Sequence, residues 1–145
     1  MKPIRLQGSW TIKAPMEKIY EIVSDFENAN KYFPKVAHSL KITKREGNHL
    51  EIDAQSKTLG LKFNVKMKTE LIPPKGFKSI NESALAIEDE TFLMEEIPGG
   101  TKINYVNNVT IKNNFLKFFS RIFIGKPALK FWEKAYIDKL RKLVE

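Results

Sequence analysis

Leu61, Phe63, Val65 and Met67 alternate without a break with Lys62, Asn64, Lys66 and Lys68. A period of two puts the apolar set on one face of an extended strand and the polar set on the other. The same pattern recurs along most of the chain. In residues 4–13, Ile4, Leu6, Gly8, Trp10 and Ile12 share a face, and Gly8 marks a bend or bulge. Residues 36–45 bring His38, Leu40 and Ile42 together, and Leu50, Ile52, Ala54 and Ser56 form the next inward set. Residues 102–112 carry Ile103, Tyr105, Asn107, Val109 and Ile111 on one face. Two strands are less regular. Residues 77–86 leave the inner face open between Phe77/Ser79 and Ile80/Ala84, and residues 88–97 favour Phe92 and Met94 over Leu93. Seven strands with one apolar face need a cover on that side only.

The last third supplies the cover. Residues 113–145 predict one long helix, broken or restarted near Gly125-Lys126-Pro127. Leu129, Trp132, Tyr136, Leu140 and Leu143 follow spacings of 3, 4, 4 and 3, one face of a helix. Two short helices follow the first strand. Pro15 suits the first turn of one, whose inner stripe is Met16, Ile19, Tyr20 and Val23. Asp25 caps the second, over residues 26–32, and Phe33-Pro34 stops it. One strand, two short helices, six strands in meander and a long helix make an α+β two-layer domain.

Register can also be argued. A two-residue Gly47-Asn48 loop pairs Ile42 with Asp53 and sets the apolar residues on opposite faces. A three-residue loop, Glu46-Gly47-Asn48 with a bulge, pairs Ile42 with Ile52 and keeps them together. The turn near residues 58–60 must have even length, because the next inward set is odd-numbered.

The 145 residues suit one domain, 1–145. No cysteine is present, which excludes disulfides and thiolate chemistry. No stretch approaches the roughly 20 apolar residues of a membrane span, and a cytoplasmic location is expected. The formal charge of +8 invites comparison with nucleic-acid binders. The lysines are scattered on outward strand positions, with no run of five like charges, which argues against nucleic acid.

The stretch Ile12-Lys13-Ala14-Pro15-Met16-Glu17-Lys18-Ile19-Tyr20-Glu21-Ile22-Val23-Ser24-Asp25-Phe26 resembles the opening of polyketide cyclase/dehydrase-like proteins of the START-like superfamily, which includes the birch-pollen-allergen-like fold. Lys31-Tyr32-Phe33-Pro34-Lys35-Val36, the Gly99-Gly100-Thr101-Lys102-Ile103 turn and the C-terminal Leu140-Arg141-Lys142-Leu143-Val144-Glu145 fit the same pattern. Residues 26–34 are also similar to coenzyme Q-binding and related ribosome-associated proteins. The resemblance implies a helix-grip fold, a seven-stranded antiparallel curved sheet wrapped around the long C-terminal helix, with a hydrophobic cavity between them. Lipid carriers, hormone receptors and aromatase/cyclases belong to this superfamily. It implies no single catalytic set.

Large rigid rings and adaptable methionines on the inner face agree with such a cavity. The predicted ligand-binding wall takes Trp10 from the first strand, and Leu50, Ile52, Phe63, Val65 and Met67 from the next hairpin. Phe92, Met94, Tyr105 and Asn107 come from the last two strands, and Phe123, Trp132 and Tyr136 from the C-terminal third. The polar groups expected inside are His38, Asn107, Tyr105, Glu96 and Ser56, and Asn107 stands out because it interrupts an apolar run. His38 and His49 lie on the order of 30 Å apart along a hairpin and cannot share a metal. No metal and no cofactor is expected. No nucleophile elbow and no phosphate-cradling loop is present. Residues 115–124 are apolar nearly all round, which marks them as a gate or a point of transient membrane contact. The leading expectation is binding or transport of a hydrophobic small molecule, of lipid, isoprenoid or polyketide-like class. The alternatives are a cyclase/dehydratase using His38, Tyr105 or Glu96 as acid or base, and then an RNA- or ribosome-associated role.

Overall fold

In the computed structural model, residues 3–58, 61–112 and 126–145 are described. The strands are β1 (Ile4–Ile12), β2 (Ala37–Glu46), β3 (His49–Thr58), β4 (Leu61–Ile72), β5 (Gly76–Glu82), β6 (Ala86–Ile97) and β7 (Gly100–Ile111). They form one antiparallel sheet in the order β1-β7-β6-β5-β4-β3-β2. The meander from β2 to β7 therefore ends beside β1, and the excursion between β1 and β2 separates the two edges.

That excursion holds α1 (Met16–Val23), a 3-10 turn (Phe26–Asn28) and α2 (Ala29–Tyr32). Pro15 sits one residue earlier than expected, as the N-cap of α1, where its carbonyl accepts from Lys18 and Ile19. Asp25 precedes the 3-10 turn without capping it through its side chain. Its carboxylate instead accepts from the Asn28 amide at 2.9 Å and the Tyr32 hydroxyl at 3.2 Å. Met16, Ile19 and Val23 face the core as their spacing predicts.

The β2–β3 hairpin keeps the expected pairing of Ile42 with Ile52 but reaches it differently. Glu46 pairs with His49, so the loop is the two-residue Gly47-Asn48, with Gly47 at φ 59°. The extra residue lies inside β2, at a bulge between Ile42 and Lys44, where the Thr43 hydroxyl donates to the Glu51 carbonyl. A bulge restores the parity that the short loop alone destroys. Thr58 pairs with Leu61, so the next turn has the expected even length.

Phe77, Ser79 and Asn81 face inward on β5, and Ile80 points out. Gly8 makes no bulge, since it pairs regularly with Tyr105. A side chain there would collide with the Trp10 ring, so the glycine is the bed on which that indole lies.

The C-terminal helix, α3, runs as Lys126–Trp132, a π turn at Glu133–Ile137 and Asp138–Val144. Residues 113–125, with the apolar stretch 115–124 and Gly125 of the expected break at Gly125-Lys126-Pro127, lie outside the described residues, and Lys126 and Pro127 open the described helix. A π turn is wider than an α turn. It lets neighbouring Tyr136 and Ile137 both meet the core, and beyond Leu140 the buried stripe passes to Val144 instead of Leu143. Ile137, Leu140 and Val144 are buried, whereas Leu143 is exposed. Ile137 and Leu140 join Ile12, Leu50, Ile52, Phe92 and Ile103 of the sheet and Ile19 and Phe33 of the excursion in one core. Each fully buried side chain of this size contributes roughly 1.5–3 kcal/mol. The outer sheet face carries both signs of charge, with Lys66 on Asp53 and Lys112 on Glu82.

Candidate functional site

Under α3 the sheet is apolar on β3 and polar across its middle. Thr69 of β4, Ser79 and Asn81 of β5, Glu88 and Glu90 of β6, and Tyr105 and Asn107 of β7 occupy inward positions. Register brings them together, because Thr69 faces Ser79, Ser79 faces Glu90, and Glu90 faces Asn107. The hydrogen bonds link these residues across one pair, along β5 and diagonally between strands. Ser79 donates to the Asn81 amide oxygen at 2.6 Å, and the Thr69 hydroxyl lies 2.8 Å from that of Ser79. The Asn81 amide donates to Glu90 Oε1 at 3.2 Å, and the Tyr105 hydroxyl donates to Glu90 Oε2 at 2.5 Å. The Asn107 amide donates to Glu88 Oε1 at 2.7 Å.

Among the described residues, one buried side-chain atom lacks a partner. Asn107 is only 4% exposed, and its Oδ1 accepts no hydrogen bond. Buried polar atoms are nearly always paired, so this one calls for a donor.

The carboxyls are perturbed in the direction their setting requires. Burial first, and the nearby charge of Glu90 second, push Glu88 up to about 7, although the Asn107 amide opposes the shift. Burial also raises Glu90, against the hydrogen bonds from Tyr105 and Asn81. Burial and then Glu90 raise the Tyr105 and Tyr136 hydroxyls. Glu88 and Glu90 nevertheless keep part of their surface accessible.

Aromatic rings wall the same region. Tyr105 stacks on Trp132 at 4.2 Å, Trp132 on Tyr136 at 4.7 Å, and Tyr136 on Phe33 at 3.9 Å. Trp10 leans on Trp132 at 5.6 Å, and Phe92 meets Tyr136 edge-on. The column joins β7, α3 and the end of α2, and Tyr105 also touches the polar floor through its hydroxyl.

The expected wall is thus brought to one side of the sheet. Leu50, Ile52, Val65, Met67, Phe92, Met94, Tyr105 and Asn107 are buried there, and Trp10, Phe63, Trp132 and Tyr136 are half-buried and packed against them. Phe123 lies outside the described residues. Glu96 is a correction. It pairs with Thr101 beside the β6–β7 turn and its side chain is exposed, since a carboxylate at a strand end reaches water around the edge. His38 sits at the outer end of β2, 3.5 Å from Lys62, and takes no part in the floor. Glu88 and Glu90 escaped the sequence reading, although the inward assignment of Phe92 and Met94 carries them inward by alternation. Among the described residues no cluster of histidine and carboxylate could hold a metal ion, and no helix is long and apolar enough to cross a membrane.

Comparison with known proteins agrees with this architecture. The family model for polyketide cyclase / dehydrase and lipid transport matches residues 12–131. No curated protein sequence matches the chain. Among solved structures, the di-domain aromatase/cyclase BexL of the BE-7585A pathway superposes with a TM-score of 0.82 at 15% identity, over 98% of this chain and 50% of its own. The chain therefore spans about half of that relative. TTHA0849 from Thermus thermophilus gives 0.80 at 16% identity, over 96% of this chain and 95% of its own. The Zhui aromatase/cyclase from Streptomyces sp. R1128 gives 0.81 at 9% identity, over 97% and 92%. At such identities these likenesses establish the helix-grip fold, and the match over most of the sequence establishes the family: the chain belongs to the polyketide cyclase / dehydrase and lipid transport family.

Proposed function

We propose that this protein binds a hydrophobic small molecule between the sheet and α3, with one polar end of the ligand on the floor made by Glu88, Glu90, Tyr105 and Asn107. The observation that carries the reading is Asn107 Oδ1, a buried acceptor with no donor beside two half-buried glutamates. Trp10, Phe63, Trp132 and Tyr136 keep accessible surface on the same side and receive the apolar body. Burial of that body contributes about 25 cal/mol per Å² of apolar area.

Asn107→Leu tests this. Leucine removes the unpaired Oδ1 together with the amide bond to Glu88, whose carboxyl can keep its proton instead, so the fold is expected to be retained and ligand choice to change. The check is mass spectrometry of molecules released on denaturation, together with titration of an apolar fluorescent probe. No released molecule and no probe binding in the unmutated protein would sink the reading.

A second reading, a cyclase/dehydratase-type enzyme, is favoured by Glu88. A carboxyl raised to about 7 by burial and a neighbouring charge is poised to exchange protons near neutrality. Incubation with a soluble polyketone thioester, followed by mass for loss of water, separates the two. Turnover abolished by Glu88→Gln supports the enzyme, and binding without turnover supports the carrier. The outer face does not favour nucleic acid. Its open depression is bordered by Lys44, Lys68 and Lys78 but also by Glu51, Glu70 and Asp89.

A further inference from the structure

We infer that the ligand's polar end is a hydrogen-bond donor carrying positive charge, an amine on an apolar body, and that the site discriminates against carboxylates and other anions. This rests on the binding reading above and adds the chemical class.

The hydrogen-bond inventory of the floor carries the argument. Its hydroxyl protons are committed internally, those of Thr69 and Ser79 along the chain to Asn81, and that of Tyr105 to Glu90. The amides of Asn81 and Asn107 are each directed at a carboxyl. With Glu88 ionised, what remains open is mainly acceptor capacity, at Asn107 Oδ1 and the second oxygen of Glu88, against one further N–H on each amide. A neutral ligand acceptor can take the Glu88 proton or a spare amide N–H but leaves Asn107 Oδ1 unpaired, whereas a ligand donor completes that atom and an ammonium also completes the ionised carboxylate.

Charge points the same way. Buried carboxylates are normally paired with a cation. Among the described residues no lysine, arginine or histidine forms an ion pair with Glu88 or Glu90. Without such a partner, Glu88 avoids an uncompensated charge by holding a proton. An ammonium group replaces that proton, whereas a carboxylate adds a further negative charge to the floor. The groups facing the pair from the surrounding elements are Tyr105 on β7, Tyr136 on α3, and the non-titrating Ser79 and Asn81 on β5. Tyr105 and Tyr136 are both held neutral by burial, so among the described residues facing the floor Glu88 and Glu90 set the charge at neutral pH.

Three probes of one shape test this, naphthylmethylamine, naphthol and naphthoate, titrated at about pH 8 against tryptophan fluorescence of the full chain. The expected order is amine, then naphthol, then naphthoate, with the amine at least on the order of tenfold tighter than the carboxylate. In Glu88→Gln/Glu90→Gln the amine loses its advantage over naphthol, and naphthol binding persists. Calorimetry near pH 6, in two buffers of different ionisation enthalpy, then reads a proton released on amine binding. This measurement uses the unmutated protein and stands even where the double variant fails to fold. Naphthoate binding as tightly as the amine overturns the inference and leaves the cavity intact. Binding of none of the three overturns the cavity reading itself.

Discussion

A carboxyl held under a helix makes stability depend on pH in a direction fixed by which state keeps the proton. Glu88 rises from an ordinary 4.5 to about 7 in the folded protein. Between those values the native state holds a proton that the unfolded chain has lost, so stability falls as pH rises through that window. Each unit corresponds to about 1.4 kcal/mol, so the loss is on the order of 3 kcal/mol. Glu88→Gln is therefore expected to stabilise at about pH 8 by up to that amount and to change little at about pH 5. Urea unfolding at the two pH values checks both, and equal effects at both would remove Glu88 as the buried titrating group. Part of this site was legible in sequence. Asn107 stood out because it breaks an apolar alternation. Glu88 and Glu90 did not, because acidic residues in a strand ordinarily face water, and only the parity set by Phe92 and Met94 turns them inward.

At the scale of elements, the periodic signals located the strands, and the errors of phase are local insertions. The β2 bulge at Thr43 and the π turn at Glu133–Ile137 each add one residue. Neither is visible as a change of composition, because an inserted residue alters phase and not character. The π turn has a measurable consequence. A regular helix buries Leu140 and Leu143, whereas the observed stripe buries Leu140 and Val144. Leu140→Ala should cost about 2–5 kcal/mol, as a cavity in a close-packed core does. Leu143→Ala should stay within about 0.5 kcal/mol. Chemical denaturation of the two variants decides, and a Leu143→Ala loss comparable to that of Leu140→Ala would show a helix without the wide turn.

For the whole molecule the question is what locks the helix onto the sheet. The two-layer plan followed from alternation and a terminal amphipathic helix, since a sheet apolar on one side has few other ways to close. The ring order could not be read that way, because stacking depends on side-chain placement across three elements distant in sequence. Phe33 ends the excursion, Tyr136 and Trp132 lie on α3, and Tyr105 lies on β7. The column they form is the continuous contact from α2 through the helix to the sheet, so its members should act together. Tyr105 and Tyr136 flank Trp132 on opposite sides without stacking on each other. Tyr105→Leu and Tyr136→Leu are each expected to destabilise, and the pair should lose less than the sum. Loosening one face of the indole already weakens the packing on the other. The expected coupling is about 0.5–1.5 kcal/mol, the range measured for aromatic pairs and for residues that share a contact. A control cycle of Tyr105→Leu with Ile19→Val, whose side chains are not stacked partners, should be additive within about 0.5 kcal/mol. Additivity in both cycles would mean that Trp132 transmits nothing, and that the grip is held by separate contacts on each side of the helix.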